Sequence, residues 1–206
     1  TEVIPLDFEF ENSIAAACDI AKQQKIDGIF LVGGFSQRAF FKDVDLDVGR
    51  RLMEINFWGH VSVAKKMMPH ILKNPNAYIV EMSSIAGLFG YYRRSFYCAA
   101  KHAVKGFFET LALEHHNDGL RVLLVYPGKI KTGITSRALS NHGGQYGKDD
   151  EIEIKYTAER CASDILRDLA KGKKECKPGG KEMLATKLKR FFPNLLFKIL
   201  LKENHV

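Results

Sequence analysis

Short apolar runs at Val3–Leu6, Gly28–Val32, Ala77–Met82 and Arg121–Tyr126 are separated by long stretches of helical periodicity, and this alternation restricts the chain to a parallel α/β sheet. Parallel neighbours cannot be joined by a tight turn, so each pair needs a crossover, which the helices supply. The helical stretches are Ser13–Gln23, Asp47–Met68, Ser95–His116 and Ala158–Lys171, and a weaker strand follows at Lys174–Lys177. Val, Ile, Leu and Phe dominate the main runs without strict alternation, as strands covered on both faces require. Asn12 or Ser13 can cap the first helix, and Pro69 is expected to end the second. The loops after Val32, Met82 and Tyr126 should share one crevice, because ligands of open α/β sheets sit beyond the carboxyl ends of the strands. The glycine-rich stretch Asn141–Gly147 and the acidic run Asp149–Glu153 read as a mobile surface loop.

A chain of 206 residues with 46% hydrophobic content can bury a sizeable core and fits a single domain over residues 1–206. Cys18, Cys98, Cys161 and Cys176 show neither paired short spacing nor partnering histidines, so no disulfide framework or zinc site is expected and a reducing compartment is the default. The formal charge of +7 is spread along the chain except near its C-terminal end, and no nucleic-acid motif accompanies it, so nucleic acid is not an expected partner. No apolar run approaches the roughly 18 residues that span a bilayer.

The stretch Tyr97-Cys98-Ala99-Ala100-Lys101 places a phenol and an ammonium on one helix face, one turn apart. A free phenol has a pKa of about 10, and a nearby cation favours its ionised form, so Lys101 could bring Tyr97 toward acid/base work. Alone, the pair fits equally a packed ring beside a solvated amine. Other residues join it in order: Asn56 within the second helix, Ser84 thirteen residues before Tyr97, and Pro127-Gly128-Lys129-Ile130-Lys131-Thr132 after the strand Arg121–Tyr126. With these, the sequence resembles the short-chain dehydrogenase/reductase family over roughly residues 3–200. The segments "SQRAF", "YCAAKHAVKGFF" and "FFPNLLFKIL" look most like the animal branch near the hydroxysteroid dehydrogenases and the dehydrogenase/reductase member 7 group.

The resemblance implies a Rossmann-type doubly wound parallel sheet using NADP or NAD on an alcohol/carbonyl pair. It implies Tyr97 as proton donor or acceptor, Lys101 as its pKa-lowering neighbour and ribose ligand, and Ser84 as hydrogen-bond partner of the substrate oxygen. Asn56 would position a relay water through its backbone. Pro127, Gly128, Ile130 and Thr132 would close over the nicotinamide, and Asp7 would meet the adenine ring. Two departures accompany the match. The family's glycine-rich turn for the pyrophosphate has no counterpart in the chain, which is expected to begin at the family's third strand, Val3–Leu6, with the first two absent. In the family's sheet order the absent strands lie between Val3–Leu6 and Gly28–Val32, leaving "GIFLV" as an edge unless Val3–Leu6 pairs with it directly. Leu31-Val32-Gly33-Gly34 stands where the family has Asn-Asn-Ala-Gly; Gly33 and Gly34 still allow close approach to a cofactor.

Residues 187–202, "KLKRFFPNLLFKILLK", mix cations with large apolar side chains. They suit a terminal helix packed on the domain or a partner, an anionic membrane surface, or the mouth of a lipid-like substrate pocket. The resemblance implies a small hydrophobic substrate such as a steroid, retinoid or lipid, a homodimer, and a place at the endoplasmic reticulum membrane or in the cytoplasm. The competing expectation is a non-catalytic relative acting as an interaction or membrane-surface module.

Overall fold

Four parallel strands in the order β1 (Gly28–Leu31), β2 (Tyr78–Met82), β3 (Arg121–Val125) and β4 (Glu175–Cys176) form one sheet, in the computed structural model, which describes residues 1–148 and 153–203. The doubly wound arrangement follows from the side chains of each strand. On β2 and β3, Ile79, Val122 and Leu124 point to one face, where α1 (Glu11–Ala21), α3 (Gly59–Ile71) and α4 (Ser95–Glu114) bring Ile14, Val63, Met67, Val104 and Phe108 against them. The alternate residues Val80, Leu123 and Val125 meet Cys161 and Ile165 of α5 (Ala158–Ala170) on the other face. β2 and β3 are therefore apolar on both sides apart from Glu81, and Thr157 caps α5 by accepting the Arg160 N–H at 3.3 Å.

The expected strand Val3–Leu6 is irregular chain, and it does not pair with β1. Val3 is 88% and Leu6 40% exposed, and with no neighbouring strand to bond, β propensity alone cannot hold four residues extended. The outer edge of β1 has no strand partner among the described residues, and Phe30 beside it is 43% exposed, touching Tyr78 edge-on at 5.8 Å. The first helix begins at Glu11 rather than behind Asn12 or Ser13; Ser13 Oγ accepts the Asp7 N–H at 2.9 Å.

The second helical stretch is three pieces: α2 (Leu46–Met53), a π-turn (Glu54–Trp58) and α3, which runs through Pro69 to Ile71. Proline's fixed φ is compatible with the last turn, and buried Met68 and Ile71 hold that turn on the sheet despite the missing N–H. Asn141–Gly147 folds back as a surface hairpin, with Ser140 N–H on the Gly144 carbonyl at 2.7 Å and Tyr146 N–H on that of Ala138 at 2.8 Å. Residues 149–152 of the acidic run lie outside the described residues. The basic C-terminal stretch forms α6 (Leu184–Phe191) and α7 (Pro193–Glu203), with Pro193 at the first position of α7, where its missing N–H is harmless. The four cysteines are buried free thiols, one each on α1, α4, α5 and β4.

Candidate active site

β2 ends at Met82, and the two serines after it divide their work. Ser83 is structural: its N–H bonds the Val125 carbonyl at 2.9 Å and its hydroxyl donates to the Lys101 carbonyl at 2.9 Å. Ser84 turns the chain into a 3-10 segment, Ile85–Gly87, by accepting the Ala86 N–H at 3.1 Å. The Ser84 hydroxyl lies near enough to act on the Tyr97 phenol, which is buried in the first turn of α4. Burial pushes the Tyr97 phenol above its ordinary range; the Ser84 hydroxyl and the Arg94 guanidinium pull it part of the way back. Lys101 is not among the groups that lower it in this structure.

Lys101 points inward from the next turn, and its Nζ donates to the Met82 carbonyl at 2.7 Å. Burial lowers its pKa to about 8, and the Glu81 carboxylate opposes that shift. The ammonium is thus held at the end of β2.

Asn56 occupies the middle of the π-turn, an insertion in the helical ladder that often marks functional positions. Its Nδ2 donates to the carbonyls of Phe35 at 3.0 Å and Leu52 at 2.9 Å, and its buried Oδ1 has no partner. Gly34 lies against that Oδ1 with φ +153°, a conformation essentially reserved for glycine, and a Cβ there would overlap Asn56 and come within 3.8 Å of Lys101 Nζ. At Gly33 a Cβ would overlap the Phe8 ring.

The structure therefore brings Ser84, Tyr97, Lys101, Asn56, Gly33 and Gly34 to the carboxyl ends of β1 and β2. Pro127 and Gly128 join them from the end of β3, where the Pro127 carbonyl accepts the Ile85 N–H at 2.9 Å. Ile130 packs toward the α5 face and Thr132 is exposed, so neither touches the Ser84–Tyr97 pair. Asp7 is exposed, and its Oδ1 accepts the Glu9 N–H at 2.9 Å, turning the chain so that Phe8 reaches Gly33.

Two features escaped the sequence reading. Gln37, fully buried, accepts the N–H groups of Phe96 and Tyr97 and so closes the start of α4; its only signal was its place in "SQRAF". His60 and Glu81 form a fully buried pair 2.8 Å apart beneath Gly33, and an acid inside an apolar strand was the signal available.

A twisted parallel sheet with a serine, tyrosine, lysine and asparagine gathered at its carboxyl edge defines a class, and the chain belongs to the short chain dehydrogenases, whose family profile matches residues 1–143. Within that family it is similar to dehydrogenase/reductase SDR family member 7 of Homo sapiens, 34% identical over 177 residues, covering 84% of this chain and 52% of that protein. The 7-like protein of Drosophila melanogaster is 32% identical over 211 residues, covering 98% of this chain and 63% of that one. The chain thus spans between 52% and 63% of the length of these relatives. Among solved structures, a short chain dehydrogenase from Burkholderia cenocepacia in complex with NADP superposes with a TM-score of 0.80 at 19% identity, covering 96% of this chain and 77% of that one. One from Burkholderia phymatum in complex with NAD gives 0.77 at 19% identity, covering 92% and 75%.

Proposed function

We propose that the chain carries the reacting centre of an NAD(P)(H)-dependent oxidoreductase that interconverts an alcohol and a carbonyl. The observation that carries this reading is the Ser84 hydroxyl acting on the buried Tyr97 phenol, with buried Lys101 one turn further along the same helix. The residues fit the nicotinamide end of such a cofactor. Gly33 and Gly34 leave backbone uncovered, Lys101 keeps donors beyond its bond to Met82, and Asn56 Oδ1 is an unmatched acceptor. Asp7, Pro127, Gly128, Ile130 and Thr132 belong to the same proposed rim. When bound, the nicotinamide supplies or receives the hydride. Tyr97 then gives its proton to the carbonyl oxygen, or takes it from the alcohol, while Ser84 donates a hydrogen bond to that oxygen. A lysine with a pKa of about 8 is charged at neutral pH yet can release a proton, which suits a relay from Tyr97 through Lys101 and a water held by the Asn56 backbone.

The substrate proposed is hydrophobic, of steroid, retinoid or lipid type. A groove of about 380 Å³ runs between Phe89–Tyr92 and α7, lined by Leu196, Phe197 and Leu200. Tyr91 lines this groove and also packs in the cluster that contains Tyr97, so one side chain connects the groove to the helix that carries the phenol. At its mouth and beyond, Phe191, Phe192, Leu195, Phe197 and Leu201 are exposed among Lys187, Lys189, Arg190, Lys198 and Lys202, which suits peripheral contact with an anionic membrane such as the endoplasmic reticulum. No described helix is long and apolar enough to cross a membrane. A homodimer through the exposed side of α4, where Leu113 stands in solvent, belongs to the same proposal.

A second reading, a non-catalytic binding module, has one observation in its favour. Glu182 Oε1 fills the space over Gly128, accepting the N–H groups of Lys129 at 2.8 Å and Gly180 at 2.9 Å, where the cofactor rim is proposed. Titration with NADPH and NADH, followed by fluorescence of Trp58 in the π-turn, separates the two. Saturable binding that Lys101→Ala weakens supports the oxidoreductase; no binding by a folded chain favours the module.

A further inference from the structure

His60 on α3 and Glu81 in β2 are completely buried, a rare setting for ionisable side chains. His60 Nδ1 lies 2.8 Å from Glu81 Oε1 and Nε2 lies 3.0 Å from the Gly33 carbonyl oxygen. A carbonyl only accepts, so Nε2 carries a hydrogen. Nδ1 then faces the carboxyl group in one of two ways: as an N–H to a carboxylate, or as a lone pair to a protonated acid. Either way one proton is held between the two residues. Its loss would set a lone pair against a carboxylate inside the core, at the cost of a buried, unpaired charge. Phe8 closes over the imidazole at 4.8 Å, so the pair is shielded on that side as well.

The pair reaches the reacting centre in two directions. Through Gly33 it fixes the residue next to Gly34, which lies over Asn56 and near Lys101 Nζ. Through β2 it is adjacent to Met82, whose carbonyl holds that same Nζ. Among the groups facing Lys101, Glu81 from β2 supplies the charge that acts on it, with His60 behind it on α3 and the uncharged Asn56 on the π-turn. Among the described residues Glu81 Oε2 has no hydrogen-bond partner, while Oε1 shares its proton with His60.

We propose that His60 and Glu81 are positioning residues for the oxidoreductase centre: His60 fixes the glycine rim through the Gly33 carbonyl, and Glu81 sets the electrostatic environment of Lys101. The inference rests on the function proposed above, but its first test does not need that function. Glu81→Gln preserves both contacts, because the carboxamide N–H can donate to Nδ1 while Nε2–H stays on Gly33; it removes the carboxylate on the Lys101 side together with the proton shared with His60, so the pair stays neutral and only its dipole is lost. The titration of Lys101 is followed by NMR in lysine-labelled protein, with Lys101→Arg to assign the signal. The midpoint is expected to fall by a fraction of a pH unit in Glu81→Gln. His60→Gln, which releases the Gly33 carbonyl, is expected to weaken NADPH binding about fivefold. An unmoved Lys101 midpoint in folded Glu81→Gln would overturn the proposal. A shifted midpoint in protein that binds no NADPH would support the hold of the pair on Lys101 and count against the oxidoreductase reading alone. If Glu81→Gln does not fold, His60→Gln decides: weakened NADPH binding by folded His60→Gln supports the proposal, and unchanged binding overturns it.

Discussion

Gln37 Oε1 accepts the Phe96 N–H at 2.9 Å, so a side chain 59 residues upstream closes the N-terminus of the helix that bears Tyr97 and Lys101. Arg94, at the N-cap position itself, makes no side-chain cap. Gln37→Leu keeps the volume and removes the acceptor, leaving buried donors unsatisfied. Urea unfolding should show a loss of about 1 to 3 kcal/mol. A change within error would mean that water or a rearranged loop caps α4 equally well.

Tyr97→Phe removes only the phenolic oxygen. The ring keeps its packing, so circular dichroism and the thermal midpoint should change little, while turnover falls by about 10² to 10⁴ if Tyr97 moves the proton. Full turnover by the variant, in whatever protein carries this chain, would remove Tyr97 from the mechanism.

Burial of Lys101 makes a stability prediction with a definite sign. Its folded pKa, about 8, lies below the unfolded value, so between those two pH values the unfolded chain binds more protons and stability rises with pH. Below about pH 8 the buried ammonium opposes folding by roughly 3 kcal/mol, a penalty that fades as the unfolded lysine also loses its proton. Lys101→Met abolishes this dependence. Denaturation of both proteins at neutral and at alkaline pH should show the native lysine gaining on methionine as pH rises; parallel curves would refute it.

Gly34 and Gly90 form a matched test of backbone demand. Gly34→Ala meets both the positive φ and Asn56 Oδ1, and should destabilise by about 1 to 3 kcal/mol while loosening the π-turn. A Cβ at Gly90 meets nothing within 4 Å, so Gly90→Ala should be close to neutral. Equal melting temperatures for the two variants would show that the Gly34 loop moves aside without cost.

The parts legible in the sequence were those with local signals. Val122 to Val125 carry no polar residue, and the structure uses that by facing two helical layers at once. The interval from Ser84 to Tyr97 picked out the serine that acts on the phenol, whereas Ser83 bonds the Lys101 carbonyl. Val3–Leu6 was misread since apolar character in a short run reports burial or strand without saying whether a partner strand exists. The π-turn at Asn56 has no compositional mark; it depends on how α2 and α3 meet α4. His60 and Glu81 sit 21 residues apart on different elements, and only the crossover from α3 to β2 brings them together.

The distribution of thiols gives the fold a set of internal witnesses. Cys18 and Cys98 lie on the helical face of the sheet, Cys161 and Cys176 on the α5 side, and burial raises the pKa of each, that of Cys176 to about 12. In the native state all four are poor nucleophiles shielded from reagents. Alkylation at a given cysteine therefore times the opening of the layer that covers it, and the order in which the four become modified would show which side of the sheet lets go first.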